Sequence, residues 1–134
     1  MKLKSTILYS VITCLTTYSS QAQTSIVNID TLLIGTWKGT SICQIKNSPC
    51  HDETVVYHIS KNNGVDTFYI TANKIVNGVE EGMGVLPFVY NSKTNKLTST
   101  AYGAWTFNVS GDKLDGTLFV RGDLYRKVKV YKQY

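Results

Sequence analysis

The stretch Gly35-Thr36-Trp37 stands where the pattern that decides the fold begins. From it, about eight short segments of alternating polar and apolar residues run to the C-terminus. Glycine, asparagine, serine and aspartate separate these segments, as tight turns between strands require. A Gly-x-Trp at the mouth of the first strand, together with Arg126 on the last strand, is typical of a small closed antiparallel barrel.

The turn signals set the expected element boundaries. One helical turn is predicted at Ile29–Ile34, with Asp30 as its N-cap and Gly35 as its stop. The predicted strands are Thr36–Ile45, Thr54–Ser60, Thr67–Val76, Met83–Tyr90, Lys96–Tyr102, Ala104–Val109, Lys113–Arg121 and Leu124–Tyr131. Every connection is short, which favours antiparallel neighbours. The predicted fold is therefore all-β, an eight-stranded antiparallel up-and-down barrel after a short N-terminal helical turn.

Residues 1–22 have the pattern of a cleaved signal peptide. Lys2 and Lys4 form the positive region, and the apolar Ser5–Leu15 is too short to span a bilayer. Small residues at Ser20-Gln21-Ala22 suit a signal peptidase. The sequence therefore predicts a secreted or periplasmic protein.

Cleavage would leave residues 23–134, which we expect to form one β-barrel domain without a further membrane-spanning segment. The net charge is +5, but the basic residues are scattered and no groove of interleaved basic and aromatic residues is evident. We therefore expect no nucleic-acid partner. An alternative reading makes Cys14 a lipidated cysteine, which would anchor the protein to a membrane.

Two cysteines, Cys43 and Cys50, remain after the signal peptide. In an oxidising compartment such a pair most simply forms a disulfide. The same two cysteines with His51 and His58 are an alternative set of zinc ligands, although their spacing is not a familiar one. We expect the disulfide, no metal and no cofactor.

Period-two alternation gives a set of side chains that point into the barrel. The members that we select as candidate ligand-binding residues are Tyr57, Phe68, Ile70, Phe88, Trp105 and Phe107. Small inward residues, such as Ser41, Ala72 and Gly116, leave room for a modest cavity. An eight-stranded barrel can equally be filled by its own side chains, and the sequence leaves both outcomes open.

Arg126 is the one charged residue on the apolar face of the last strand. Inside an apolar row, a charge needs a partner or an aromatic lid. Closing the barrel places the last strand beside the first, so we expect Arg126 to meet Trp37 at one rim and to close the barrel there.

Gly35-Thr36-Trp37, the up-and-down strands and Arg126 together resemble the calycin group, which includes lipocalins, fatty-acid-binding proteins and avidin-like barrels. The chain also resembles exported bacterial lipocalin-like domains, over Leu33–Trp37 and Leu124–Lys127. In the calycin group, the tryptophan closes one end of the barrel and the arginine packs over it. The sequence lacks the long C-terminal helix of lipocalins, and the biotin-binding residues of avidin cannot be mapped onto it. The resemblance therefore does not identify a ligand.

The leading functional hypothesis is a non-catalytic exported protein that holds a small hydrophobic or amphipathic ligand. The alternative is a protein–protein module resembling bacterial inhibitors of secreted metalloproteases, whose extended N-terminal segment would here be Gln23–Asn28. A barrel enzyme is a third option. No nucleophile elbow, His-Glu-x-x-His motif or phosphate loop occurs in the sequence, so it offers no catalytic residue.

Overall fold

A computed structural model describes residues 19–22, 26–63 and 65–134, which form a closed antiparallel barrel after one short helix. The elements are α1 (Ile29–Leu33), β1 (Gly35–Cys43), β2 (Glu53–Lys61), β3 (Thr67–Val76), β4 (Val79–Asn91), β5 (Lys96–Ser99), β6 (Ala104–Ser110), β7 (Lys113–Val120) and β8 (Asp123–Lys132). Each strand pairs with the next, and β1 also pairs with β8. The predicted eight-stranded all-β barrel is confirmed.

Most of the predicted signal peptide, including Cys14, lies outside the described residues, and its prediction stands as a prediction. The domain boundary at residue 23 and the N-terminal segment 23–28 are likewise only partly covered, since residues 23–25 are not described. Among the residues that are described, no helix has the length and apolarity that crossing a membrane requires.

Element ends differ from the sequence-based ones at several positions, and three differences have a clear local cause. The N-cap of α1 is Asn28 rather than Asp30, because the side-chain oxygen of Asn28 accepts the backbone N–H of Asp30 at 2.9 Å. β4 begins at Val79, because the two-residue Asn77-Gly78 turn places Val79 directly opposite Val76, the last residue of β3. β5 ends at Ser99, because the chain turns at Tyr102, whose φ is +58°.

The barrel interior is filled over most of its length by the inward row of each strand. Its largest fully buried side chains are Trp37, Phe68, Phe88, Phe107, Leu33 and Ile70. Gly116 gives the clearest case of tight fit, because a Cβ built there would lie 2.2 Å from the ring of Phe107. The missing side chain therefore serves to seat this ring rather than to leave a void.

One end of the barrel, here called the closed end, is sealed by α1 and Trp37. The indole Nε1 of Trp37, which is fully buried, donates to the carbonyl of Leu33 at 2.9 Å. The Lys132 ammonium donates to the carbonyls of Thr31 and Leu32 at 2.7 and 2.6 Å and lies 5.9 Å from the centre of the Trp37 ring. Lys132 thus caps the C-terminal end of α1, where helix carbonyls lack partners, and also covers the indole.

The expected contact between Trp37 and Arg126 is wrong. In the register of β1 with β8, Trp37 stands opposite Lys132, whereas Arg126 stands opposite Cys43. These two positions are six residues apart on β1, or about 20 Å at the rise of an extended strand. The barrel closes as expected, but a lysine near the end of β8 covers the tryptophan, and Arg126 lies at the opposite end.

We predict that Lys132→Met lowers the free energy of unfolding by about 1–2 kcal/mol, because it removes two charge-assisted hydrogen bonds to α1 while keeping the length of the stem. Urea unfolding followed by circular dichroism measures this change. Lys127→Met, at an exposed position of the same strand, is the matched control and should change stability by less than about 0.5 kcal/mol. Equal losses in the two variants would contradict the sealing role of Lys132.

Candidate functional site

A cavity of about 90 Å³ lies toward the other end of the barrel, here called the open end, where β1 finishes and β2 starts. Four aromatic side chains form much of its wall: Tyr57, Phe88, Trp105 and Phe107. They come from β2, β4 and β6, whose inward rows reach the same level of the barrel. The cavity therefore has an aromatic lining built by three separate strands.

The aromatic rings pack on one another in a fixed arrangement. Trp105 and Phe107 are nearly parallel, at an interplanar angle of 11° with centroids 6.0 Å apart. Phe88 meets both of them, at 6.5 Å and 5.6 Å, and Tyr57 meets Phe107 edge-on at 6.2 Å. Such contacts stabilise the wall beyond simple burial and make it rigid.

Five of the six predicted ligand-binding residues line this cavity: Tyr57, Ile70, Phe88, Trp105 and Phe107. The sixth, Phe68, does not. It is buried in the core, and the Lys61 ammonium lies 5.1 Å from the centre of its ring. The side chains of Phe68 and Ile70 both point into the barrel from β3, but Phe68 lies two residues closer to the closed end.

The polar part of the lining centres on Arg126. Its Nη1 donates to the hydroxyl of Ser41 and to the carbonyl of His51, both at 3.2 Å. The same nitrogen lies 3.6 Å from a carboxylate oxygen of Glu53. The side chains of Arg126 and Glu53 are only 13% and 14% exposed, so each charge is largely removed from water and compensated by the other.

The loop that carries His51 is held by a disulfide between Cys43 and Cys50, which confirms the expected pairing. Asp52 adds a second tie, because its carboxylate accepts the backbone N–H of Cys43 at 2.9 Å. With both sulfurs in the disulfide, the alternative zinc site built on these cysteines is ruled out. The disulfide instead fixes the loop against which the guanidinium rests.

Two β-bulges shape the open end. On β4, Met83 is the extra residue between the pairs Ala72–Gly84 and Asn73–Gly82, and it reaches the cavity wall. A second irregularity interrupts the pairing of β7 with β8 just beyond Arg126. Bulges redirect side chains and increase local twist, and here both lie beside residues that line the cavity.

The strand pairing of the barrel is shortest between β4 and β5. Within residues 65–134, β5 pairs with β4 at only three positions, beginning at Val89. The part of β4 before Val89 borders a groove of about 220 Å³ that includes Gly84, Val85 and the exposed Tyr102. Ala72, Met83, Leu86 and Trp105 line both the groove and the cavity. The groove therefore adjoins the cavity from the side.

The indole Nε1 of Trp105 is buried and has no hydrogen-bond partner, the sole such side-chain nitrogen or oxygen in the described part of the chain. The other tryptophan, Trp37, has its Nε1 bonded to Leu33. Buried N–H groups are almost always paired, and leaving one unpaired costs about 1–3 kcal/mol. The nitrogen is enclosed by the surrounding side chains, so Trp105 lines the cavity with other atoms of its ring.

His58, the second histidine of that alternative zinc set, lies on the outer face of β2. Its ring nitrogens contact Thr36 Oγ1 at 3.1 Å and a Glu80 oxygen at 2.8 Å, and Asn73 donates to the same Glu80 oxygen at 2.7 Å. The bond from His58 lowers the pKa of the Glu80 carboxyl, and the bond from Asn73 lowers it further. The cluster ties β1 and β2 to the β3–β4 hairpin and does not line the cavity.

The sequence matches no protein-family model, and no curated protein matches it. The structure is similar to a solved structure of the siderocalin Ex-FABP, which is described as functioning through dual ligand specificities. The TM-score is 0.52 at 13% sequence identity, and the match covers 76% of this chain and 70% of that chain. At this identity the likeness shows the fold alone, and it agrees with the closed barrel in a calycin-like, lipocalin type of fold.

Sequence reasoning missed two residues of the cavity, namely Glu53 and Met83. Glu53 could have been found, because the alternation that puts Val55 and Tyr57 inside the barrel also puts Glu53 there. Met83 has no such signal, since it reaches the cavity through a bulge that the sequence does not reveal.

Tyr57 is the titratable wall residue with a shifted pKa. Burial raises the pKa of its hydroxyl well above the usual value of about 10, the positive charge of Arg126 opposes this rise, and the negative charge of Glu53 adds to it. The hydroxyl therefore stays protonated at neutral pH and remains a hydrogen-bond donor.

This pKa gives a prediction for alkaline stability. Above about pH 10, the unfolded chain loses the Tyr57 proton while the folded state keeps it, so the free energy of unfolding falls as pH rises. Tyr57→Phe should remove about 1 kcal/mol of the decline between about pH 9 and 11, measured by urea unfolding at both values. Tyr102→Phe, at a side chain that is 87% exposed, should keep the wild-type slope. A wild-type slope in Tyr57→Phe would refute the assignment.

Proposed function

We propose that the protein is an exported, non-catalytic binding protein that holds a small hydrophobic or amphipathic molecule at the open end of its barrel. The observation that carries this proposal is the cavity that Tyr57, Phe88, Trp105 and Phe107 surround and leave unfilled. Moving apolar ligand surface from water into such a lining is favourable, and a few polar groups then orient the ligand. Arg126 and Ser41 supply polar groups of this kind.

The size of the cavity limits what it holds. Its volume of about 90 Å³ compares with about 30 Å³ for one water in the liquid and with at least about 300 Å³ for a pocket that takes a drug-sized molecule. The ligand is therefore small, or it places one ring in the cavity and its remainder in the adjoining groove of about 220 Å³.

Binding without chemistry fits the charged groups at the site. The carboxylate of Glu53 and the guanidinium of Arg126 lie 3.6 Å apart and balance each other's charge. The Cys43–Cys50 disulfide supports export, because structural disulfides persist in oxidising compartments. The described function of the similar solved barrel, through dual ligand specificities, belongs to that protein and is consistent with a ligand-holding role here.

We predict that Ala72→Met weakens binding of an apolar probe, because Ala72 lines both the cavity and the groove and a longer side chain there occupies their shared space. The probe is the neutral dye N-phenyl-1-naphthylamine, whose fluorescence rises when it leaves water. The wild type should give a saturable rise, and Ala72→Met should bind at least about tenfold more weakly.

Ala104→Met is the matched control, since Ala104 is an exposed alanine at the start of β6 and does not line the cavity. It should bind the dye like the wild type. Equal binding by all three proteins would place the dye elsewhere, and no binding by the wild type would remove the proposed function. Native mass spectrometry of the exported protein gives an independent readout, through any small molecule that co-purifies with it.

A further inference from the structure

The sequence contains two methionines, Met1 and Met83, and Met83 is the one that lies in the barrel, on β4. We propose that Met83 is a redox-modification site, at which a hydroperoxide converts the thioether to a sulfoxide and thereby lowers the affinity of the barrel for its ligand. This inference rests on the proposed binding function and adds a chemical control of that binding.

Met83 is accessible from solvent in the folded protein. It is 44% exposed, although it also lines the cavity. A glycine stands on each side of it, and a Cβ built at Gly84 would meet no atom within 4 Å, so the surroundings leave space for a peroxide. Oxidation of a thioether follows such exposure. Cys43 and Cys50 are joined in a disulfide, so they offer no competing thiol.

The β-bulge on β4 places Met83 between two spaces. The pairs Ala72–Gly84 and Asn73–Gly82 leave Met83 as the extra residue of its strand. From this position it lines both the cavity of about 90 Å³ and the adjoining groove of about 220 Å³. A ligand that extends from one space into the other therefore covers Met83.

The modification transfers one oxygen atom. A sulfur lone pair attacks the O–O bond of the peroxide, a sulfur–oxygen bond forms and the O–O bond breaks. With hydrogen peroxide, the second oxygen leaves as water and carries both protons. Sulfur loses two electrons and the peroxide gains them, so the reaction needs no further reagent. A flexible apolar side chain thereby becomes a polar one.

A sulfoxide at this position is solvated in the ligand-free protein, and a ligand in both spaces would remove that water. The lining that Met83 shares with both spaces gives no replacement. Ala72 and Leu86 have no hydrogen-bond donor in their side chains, and the nitrogen of Trp105 is enclosed. Burying a polar group without a hydrogen bond is unfavourable, so oxidation of Met83 opposes binding.

The test compares the affinity of the reduced and oxidised full chain for N-phenyl-1-naphthylamine. Hydrogen peroxide is applied until mass spectrometry shows the gain of one oxygen atom, which peptide mapping should assign to Met83. We expect the oxidised protein to bind the dye at least about fivefold more weakly. Methionine sulfoxide reductases for both epimers should restore the original affinity, because they reverse this modification.

Met83→Leu removes the sulfur and keeps an apolar side chain. Because position 83 lines the cavity, this variant is compared only with itself, and its affinity should be equal before and after peroxide. A second measurement needs no variant. Saturating dye should slow the formation of the Met83 sulfoxide in the wild type at least about threefold, since a ligand that covers the side chain reduces its exposure.

Three outcomes would overturn the inference: equal affinities of the reduced and oxidised wild type, a loss of affinity after peroxide that Met83→Leu shares, or an oxidation rate that saturating dye does not change. In each case, saturable binding of the dye by the untreated protein leaves the proposed function in place. If the untreated protein does not bind the dye, the proposed function fails and the inference fails with it.

Discussion

The structure depends on the register in which β8 pairs with β1. That pairing turns a row of hairpins into a closed barrel, and it decides which charged residue of β8 reaches each end. Lys132 falls opposite Trp37, so an ammonium and an indole seal one end together with α1. Arg126 falls opposite Cys43, so a guanidinium reaches the cavity beside Ser41. A shift of one residue would turn both side chains to the outer face.

Each end of the barrel contains one tryptophan, and the surroundings of the two indole rings differ. At the closed end, Trp37 has its indole nitrogen bonded and its ring covered, so nothing polar is left for a ligand. At the open end, Trp105 keeps its nitrogen unpaired within the described residues and lines a space that the core does not fill. The first tryptophan seals the closed end, and the ring of the second lines the cavity.

The local part of this fold could be predicted from the sequence because turns and alternation are local signals. Asn77-Gly78 fixed one hairpin, and the inward rows gave five residues of the cavity wall. The error on Arg126 has a physical cause, since closure of the barrel brings β1 and β8 together but alternation does not say how far one slides along the other. Phe68 was misplaced for a related reason, because alternation gives the face of a strand and not its depth in the barrel. The bulge at Met83 depends on pairing geometry that single-strand patterns do not contain.

The short pairing of β5 with β4 has a kinetic consequence. Three residue pairs hold this seam and four hold β5 to β6, whereas the other adjacent strands of the barrel pair over seven or more positions. Local opening of a sheet is easiest where the fewest hydrogen bonds must break, so the barrel can part beside Trp105 while the rest stays folded. A molecule held as proposed could then exchange at this side of the barrel while the sealed end stays in place.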